Sequence, residues 1–160
     1  MHEHDRLFID GDWTAPAGTG AIEVVSPHTE EVIGRVPEGT AADVDAAVAA
    51  ARRAFDHGPW PRMTPAERAD VLGRLAARYA DRQQEMADLV TAEMGSPILF
   101  SVFGQAAMAQ LVLQYYVDLA ARFAWEEERA GMLGPVAVTR EPVGVVAAIY
   151  PWNAPQFTLM

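Results

Sequence analysis

The chain of 160 residues contains no cysteine. No disulfide framework can form, and these residues supply no thiol nucleophile and no thiolate metal ligand. Positive charge is scarce: 12 Lys and Arg stand against 22 Asp and Glu, a net charge of −10. Nucleic acids and anionic membranes call for a basic face, so neither is an expected partner. The opening residues Met1-His-Glu-His-Asp-Arg6 hold no basic stretch followed by an apolar one. No secretory signal is legible there, and the cytoplasm is the default location. Gly-x-Gly-x-x-Gly, phosphate-loop and Gly-x-Ser-x-Gly patterns are missing too.

What is present is apolar: 51% hydrophobic against 21% charged residues, enough for a folded domain with a real core. Met94 to Val117 carries no charge and is long enough to span a bilayer. At helical spacing, however, Gln105 and Gln110 fall on nearly opposite faces, so lipid would meet a glutamine either way. The better expectation is a helix buried on several sides within the protein, capped by Ser96-Pro97.

Local signals order the rest. Leu7 to Trp13 predicts a hairpin around Asp10-Gly11. Val24-Val25 and Val32-Ile33 predict two strands joined by a turn. Thr40-Ala-Ala-Asp43 and Thr64-Pro-Ala-Glu67 start helices as capping boxes. Val44, Ala47, Val48, Ala51 and Phe55 would be the buried stripe of the first helix. Ala69, Leu72, Leu75, Ala76 and Tyr79 would be that of the second. A third helix carries Met86, Leu89, Val90 and Met94 and stops at Gly95. Glu126 to Arg129 reads as a solvated helix end, and Val136 to Arg140 as a strand.

Val143 to Tyr150 is apolar without alternation, so it predicts a strand covered on both faces, as in a parallel sheet. Ligands gather at the carboxyl ends of such strands. Here that end is Tyr150-Pro-Trp-Asn153. Asn153 offers an uncharged amide donor, suited to an oxyanion forming on a carbonyl under attack. Asparagine is also an ordinary turn residue, and from the residues alone both readings stand. Elsewhere, His2, His4 and Asp5 read as a frayed terminus rather than a metal site. His28 and His57 lack partners for one. Tyr115-Tyr116 reads as core.

Arg140-Glu-Pro-Val-Gly-Val-Val-Ala-Ala-Ile-Tyr-Pro-Trp-Asn153 resembles the segment by which NAD(P)-dependent aldehyde dehydrogenases enter their cofactor domain. Phe8 to Trp13, Ser26 to Pro37, Ala41 to Phe55, Pro65 to Leu72 and Glu93 to Pro97 resemble earlier pieces of that family in the same order. The resemblance covers essentially the whole chain. It implies an α/β fold, here the N-terminal portion of the family's fold: a partial Rossmann-like cofactor domain with an N-terminal hairpin and helices. Residues 1–123 would belong to the cofactor domain, 124–142 to a bridging arm that pairs subunits, and 143–160 to the first strand and turn of the sheet.

The resemblance also implies chemistry. A cysteine thiolate attacks an aldehyde, Asn153 holds the oxyanion, NAD or NADP takes the hydride, and a glutamate activates water. Ile149, Tyr150, Pro151 and Trp152 would line the cofactor groove. A homo-oligomer, dimer or tetramer, is implied, with a small aldehyde as substrate. Departures from the family are clear. The nucleophile is absent from these residues, and the glycine-rich turn and base glutamate would lie beyond them. Ala154 and Gln156 replace the usual Phe and Leu, and Tyr150 is bulkier than usual. These residues alone should therefore not turn over. A second function class follows: a non-catalytic assembly or interaction piece that hides its apolar strand against another chain.

Overall fold

Thr40 and Thr64 set the helical frame. In the computed structural model, which describes residues 2–160, both capping boxes close. The Asp43 carboxylate accepts the Thr40 backbone N–H at 2.8 Å and the Ala17 N–H at 2.8 Å, tying the entry loop to helix α1 (Ala41–His57). These bonds hold the Asp43 carboxyl below the usual carboxylate range, with the Thr40 amide the largest cause. Glu67 does the same for helix α2 (Pro65–Asp81), accepting the Thr64 N–H at 2.7 Å.

Seven strands, three more helices and a short 3₁₀ turn (Trp60–Arg62) complete the described chain. The strands are β1 (His2–Glu3), β2 (Leu7–Ile9), β3 (Asp12–Thr14), β4 (Ala21–Val25), β5 (Val32–Pro37), β6 (Glu126–Gly131) and β7 (Gly134–Thr139). The helices are α3 (Gln83–Met94), α4 (Ile98–Arg122) and α5 (Pro155–Leu159). Strands β2 and β3 pair around Asp10 and Gly11, whose φ values of 58° and 87° match the tight primed turn that Asp-Gly favours. β5 is the centre of a three-stranded sheet, antiparallel to β4 and parallel to β1. Helix α3 ends at Gly95, φ 72°, the left-handed conformation glycine adopts at no steric cost.

The core lies between α2 and α4, where Ala76 and Tyr79 meet Ala109 and Leu113, with Leu72, Met86 and Met160 packed around them. α4 is the one described helix long and apolar enough to cross a membrane. It buries one face on its neighbours and leaves Leu99, Phe103, Leu111 and Tyr115 exposed, instead of being covered on several sides. Residues Ser101–Ala106 of α4 wind as a π-helix.

Several expectations are corrected. Val143 to Tyr150 forms no strand, because no described strand runs alongside to complete its hydrogen-bond ladder. Val143 is 91% exposed and Ile149 98%. Glu126 to Arg129 is strand, not helix end: β6 pairs with β7 from Glu126↔Thr139 to Gly131↔Gly134. Arg129 and Arg140 neutralise the Glu127 carboxylate at 2.9 and 2.7 Å, which makes the acidic run compatible with a strand. The terminus at His2 and Glu3 is paired, and the His4 N–H donates to the Arg35 carbonyl at 3.0 Å. Ser96 does not cap α4; Pro97 takes that position, and the Ser96 hydroxyl is buried without a partner among the described residues. Val44 and Val48 of α1 are exposed, as is Leu75 of α2, since no described element packs over those faces. Tyr115 and Tyr116 are half exposed rather than core.

Candidate functional site

Residues 149–156 form a turn laid against the helical layer. Pro155 sits in the first turn of α5, where its missing N–H leaves nothing unpaired. The Thr158 N–H closes that turn on the Ala154 carbonyl at 3.0 Å, and the Thr158 hydroxyl joins it at 2.7 Å.

Three bonds from elsewhere in the chain hold the turn. The Gln105 side chain, from the π-segment of α4, donates Nε2–H to the backbone carbonyl of Asn153 at 2.9 Å. The Tyr79 hydroxyl, from α2, donates to Gln156 Oε1 at 2.6 Å. Gln156 Nε2 donates in turn to the Met86 carbonyl of α3 at 3.4 Å. Burial pushes the Tyr79 phenol above its ordinary pKa, so it remains the neutral donor this arrangement needs.

The five residues singled out from the sequence are brought together by simple succession, and the structure leaves all five exposed, Ile149 almost fully and Tyr150 about half. Ile149, Tyr150, Trp152 and Asn153 all face open space, with Pro151 between them. The exposed Asn153 side chain neither donates a hydrogen bond to a described residue nor accepts one, so its Nδ2–H donors are unengaged. An open apolar cleft of about 710 Å³ lies elsewhere, lined by Phe55, Trp60, Leu72, Leu113, Phe123 and Trp125 among others, and does not include Asn153. No group of three or more His, Asp or Glu placed to hold a metal occurs among the described residues.

Sequence reasoning missed Gln105 and Tyr79 as parts of this site. Gln105 had a signal: a glutamine in a stretch that is otherwise nearly all apolar needs a partner. Tyr79 had none, since its spacing marks it simply as core.

Hairpin, small sheet, capped helices, extended arm and Pro-Trp-Asn turn follow one another in an α/β arrangement. The match with known proteins makes this specific. The model of the aldehyde dehydrogenase family covers residues 13–160, and the chain belongs to that family. Geranial dehydrogenase of Castellaniella defragrans is 38% identical over 154 residues, 96% of this chain and 32% of that protein. The crystal structure of a Mycobacterium tuberculosis aldehyde dehydrogenase complexed with NAD+ superimposes with a TM-score of 0.94 at 44% identity, covering 98% of this chain and 32% of that one. An aldehyde dehydrogenase C mutant from Pseudomonas syringae, complexed with NAD+ and octanal, gives 0.90 at 39% identity, covering 97% and 31%. The chain thus spans about a third of the length of these relatives. Its α/β architecture is the N-terminal part of the aldehyde dehydrogenase fold.

Proposed function

We propose that this chain supplies the N-terminal third of an enzyme that oxidises an aldehyde to a carboxylic acid with NAD or NADP. Within it, Asn153 donates its side-chain amide to the aldehyde oxygen under attack. The observation that carries this is an anchored turn with an unengaged amide: the Asn153 backbone is tied to Gln105, while its side chain points to open space. A preorganised neutral donor of this kind strengthens its bond as negative charge gathers on oxygen. The family resemblance assigns the nucleophile to a cysteine thiolate, which these residues do not contain. It adds to the carbonyl carbon, and the C=O electron pair moves onto the oxygen that Asn153 faces.

The residues present fit one side of a nicotinamide dinucleotide. Ile149, Tyr150, Pro151 and Trp152 leave apolar and flat surface uncovered beside Asn153. When bound, the nicotinamide accepts the hydride. Residues 149–152 would orient that group and keep water from it. We also assign residues 1–123 to the cofactor domain, 124–142 to a subunit-bridging arm and 143–160 to entry into the sheet. Support for the arm is the β6–β7 hairpin, whose tip residues Met132 and Leu133 are nearly fully exposed. A homo-oligomer, dimer or tetramer, in the cytoplasm follows from this reading, with a small-molecule aldehyde as substrate.

The test joins residues 1–160 to the C-terminal two-thirds of the Mycobacterium tuberculosis relative and follows NADH formation with octanal. Asn153→Ala should lower kcat by about 10²–10³. An unchanged kcat would refute the oxyanion role. The 160-residue chain alone should form no NADH, and steady turnover by it would sink the assignment of the nucleophile elsewhere. The second reading, a non-catalytic assembly piece, is favoured by the exposure of Met132, Leu133, Val143 and Ile149. It predicts an inactive fusion and a self-associated 160-residue chain in size-exclusion chromatography.

A further inference from the structure

Gln105 lies on the one stretch of α4 that departs from α-helical winding, Ser101–Ala106. A π-helical turn re-aims the side chains it carries, and such turns concentrate at functional sites. The segment is itself pinned, because the Thr91 hydroxyl of α3 donates to the Ser101 hydroxyl at 2.8 Å. Gln105 is 3% exposed, and its Nε2 donates to the Asn153 carbonyl at 2.9 Å. Its other end, Oε1, is buried with no partner among the described residues. A buried amide that leaves an acceptor unpaired is costly, and an apolar side chain of similar length would avoid that cost. Packing alone therefore does not account for a glutamine here. What the glutamine provides is a donor at one backbone carbonyl.

We propose that Gln105 is a positioning residue. By holding the Asn153 carbonyl it fixes the backbone from which the Asn153 side chain projects. The purpose of that orientation rests on the oxyanion role proposed above. Tyr79 and Gln156 form the second anchor, on the far side of Pro155. Contacts from α2, α3 and α4 thus clamp the turn at two points and leave the Asn153 amide free between them.

NMR on the 160-residue chain tests the first half directly. Gln105 side-chain amide protons should exchange with solvent about tenfold more slowly than those of exposed Gln114, the protection of a buried hydrogen bond. Gln105→Met keeps the length and removes the donor. It should shift the Asn153 carbonyl and side-chain amide resonances. It should also speed exchange of the Thr158 amide about five- to tenfold, the loss of one hydrogen bond. Gln105→Glu, which sets an acceptor against the carbonyl, should do the same. Fast exchange of the Gln105 amide in the unsubstituted chain overturns the proposal without any variant having to fold. Unmoved Asn153 resonances in Gln105→Met overturn it as well.

In the fusion with the Mycobacterium tuberculosis relative, Gln105→Met should lower kcat about tenfold and leave KM within about twofold, as misplacement of a transition-state donor does. An unchanged kcat there, with Asn153→Ala impaired, refutes positioning alone. If Asn153→Ala is also unimpaired, the oxyanion reading is what fails, while the NMR outcome stands apart.

Discussion

The α2–α4 interface and the segment Val143–Tyr150 are both apolar in sequence, yet they end in opposite environments. Ala76, Ala109 and Leu113 are buried, whereas Val143 and Ile149 stand in the open. Composition does not separate them, but the availability of a partner does. A helix satisfies its own backbone and needs only one covered face. A strand needs a neighbour for its hydrogen bonds before its side chains can be buried. The two helices find each other within the chain, and the extended segment has no described strand to join.

Predictions can strain this contrast from both sides. The largest effect should come from Leu113→Ala, which leaves a cavity in the tightly packed α2–α4 core. A loss of about 3 kcal/mol is expected, seen as a fall of about 10 °C in the thermal midpoint by circular dichroism. A loss below 1 kcal/mol would mean that the helical layer is no better packed than the exposed segment. Tyr79→Phe keeps the ring and removes the donor to Gln156, so about 1 kcal/mol should be lost. Exchange at Thr158 and Met160 should quicken more than exchange within α2. Equal acceleration everywhere would show the turn and the core to be one cooperative unit.

A smaller effect concerns acid. The Asp43 and Glu67 carboxyls are both lowered, each mainly by the backbone N–H of its capping threonine. Their contribution is present above the unfolded carboxylate range, near pH 4, and is lost as pH falls through the lower folded values. An acid titration should therefore loosen the starts of α1 and α2, and Asp43→Asn should remove most of that pH sensitivity at α1. Helix onset insensitive to acid in the unsubstituted chain would contradict the capping role. The smallest effect is expected at Ile149→Asp, within about 0.5 kcal/mol, since the side chain is already solvated. A large destabilisation in the 160-residue chain would show Ile149 to be covered in solution.

Legibility follows the range of each interaction. The Asp10-Gly11 hairpin, both capping boxes and the Gly95 stop were readable, because each rests on residues within four positions of one another. The β6 strand was not. Three successive glutamates suggest a helix end until Arg140, thirteen residues from Glu127, is placed beside them. The site was half legible. Tyr150 to Asn153 are contiguous and carry the family's pattern, but none of the three bonds that hold the turn is local. Gln105 reaches Asn153 across 48 positions and Tyr79 reaches Gln156 across 77.

The sequence by itself determined the starts of α1 and α2, the stop of α3 at Gly95, the tight hairpin, the lack of a thiol and the family. Those depend on local backbone chemistry and on residue identity. Tertiary structure decided which apolar runs are buried, that the acidic run pairs as a strand, and that a π-helical turn presents Gln105 to the Asn153 carbonyl. Burial and long-range hydrogen bonds depend on which elements meet, and periodicity along a single element carries no record of its neighbours.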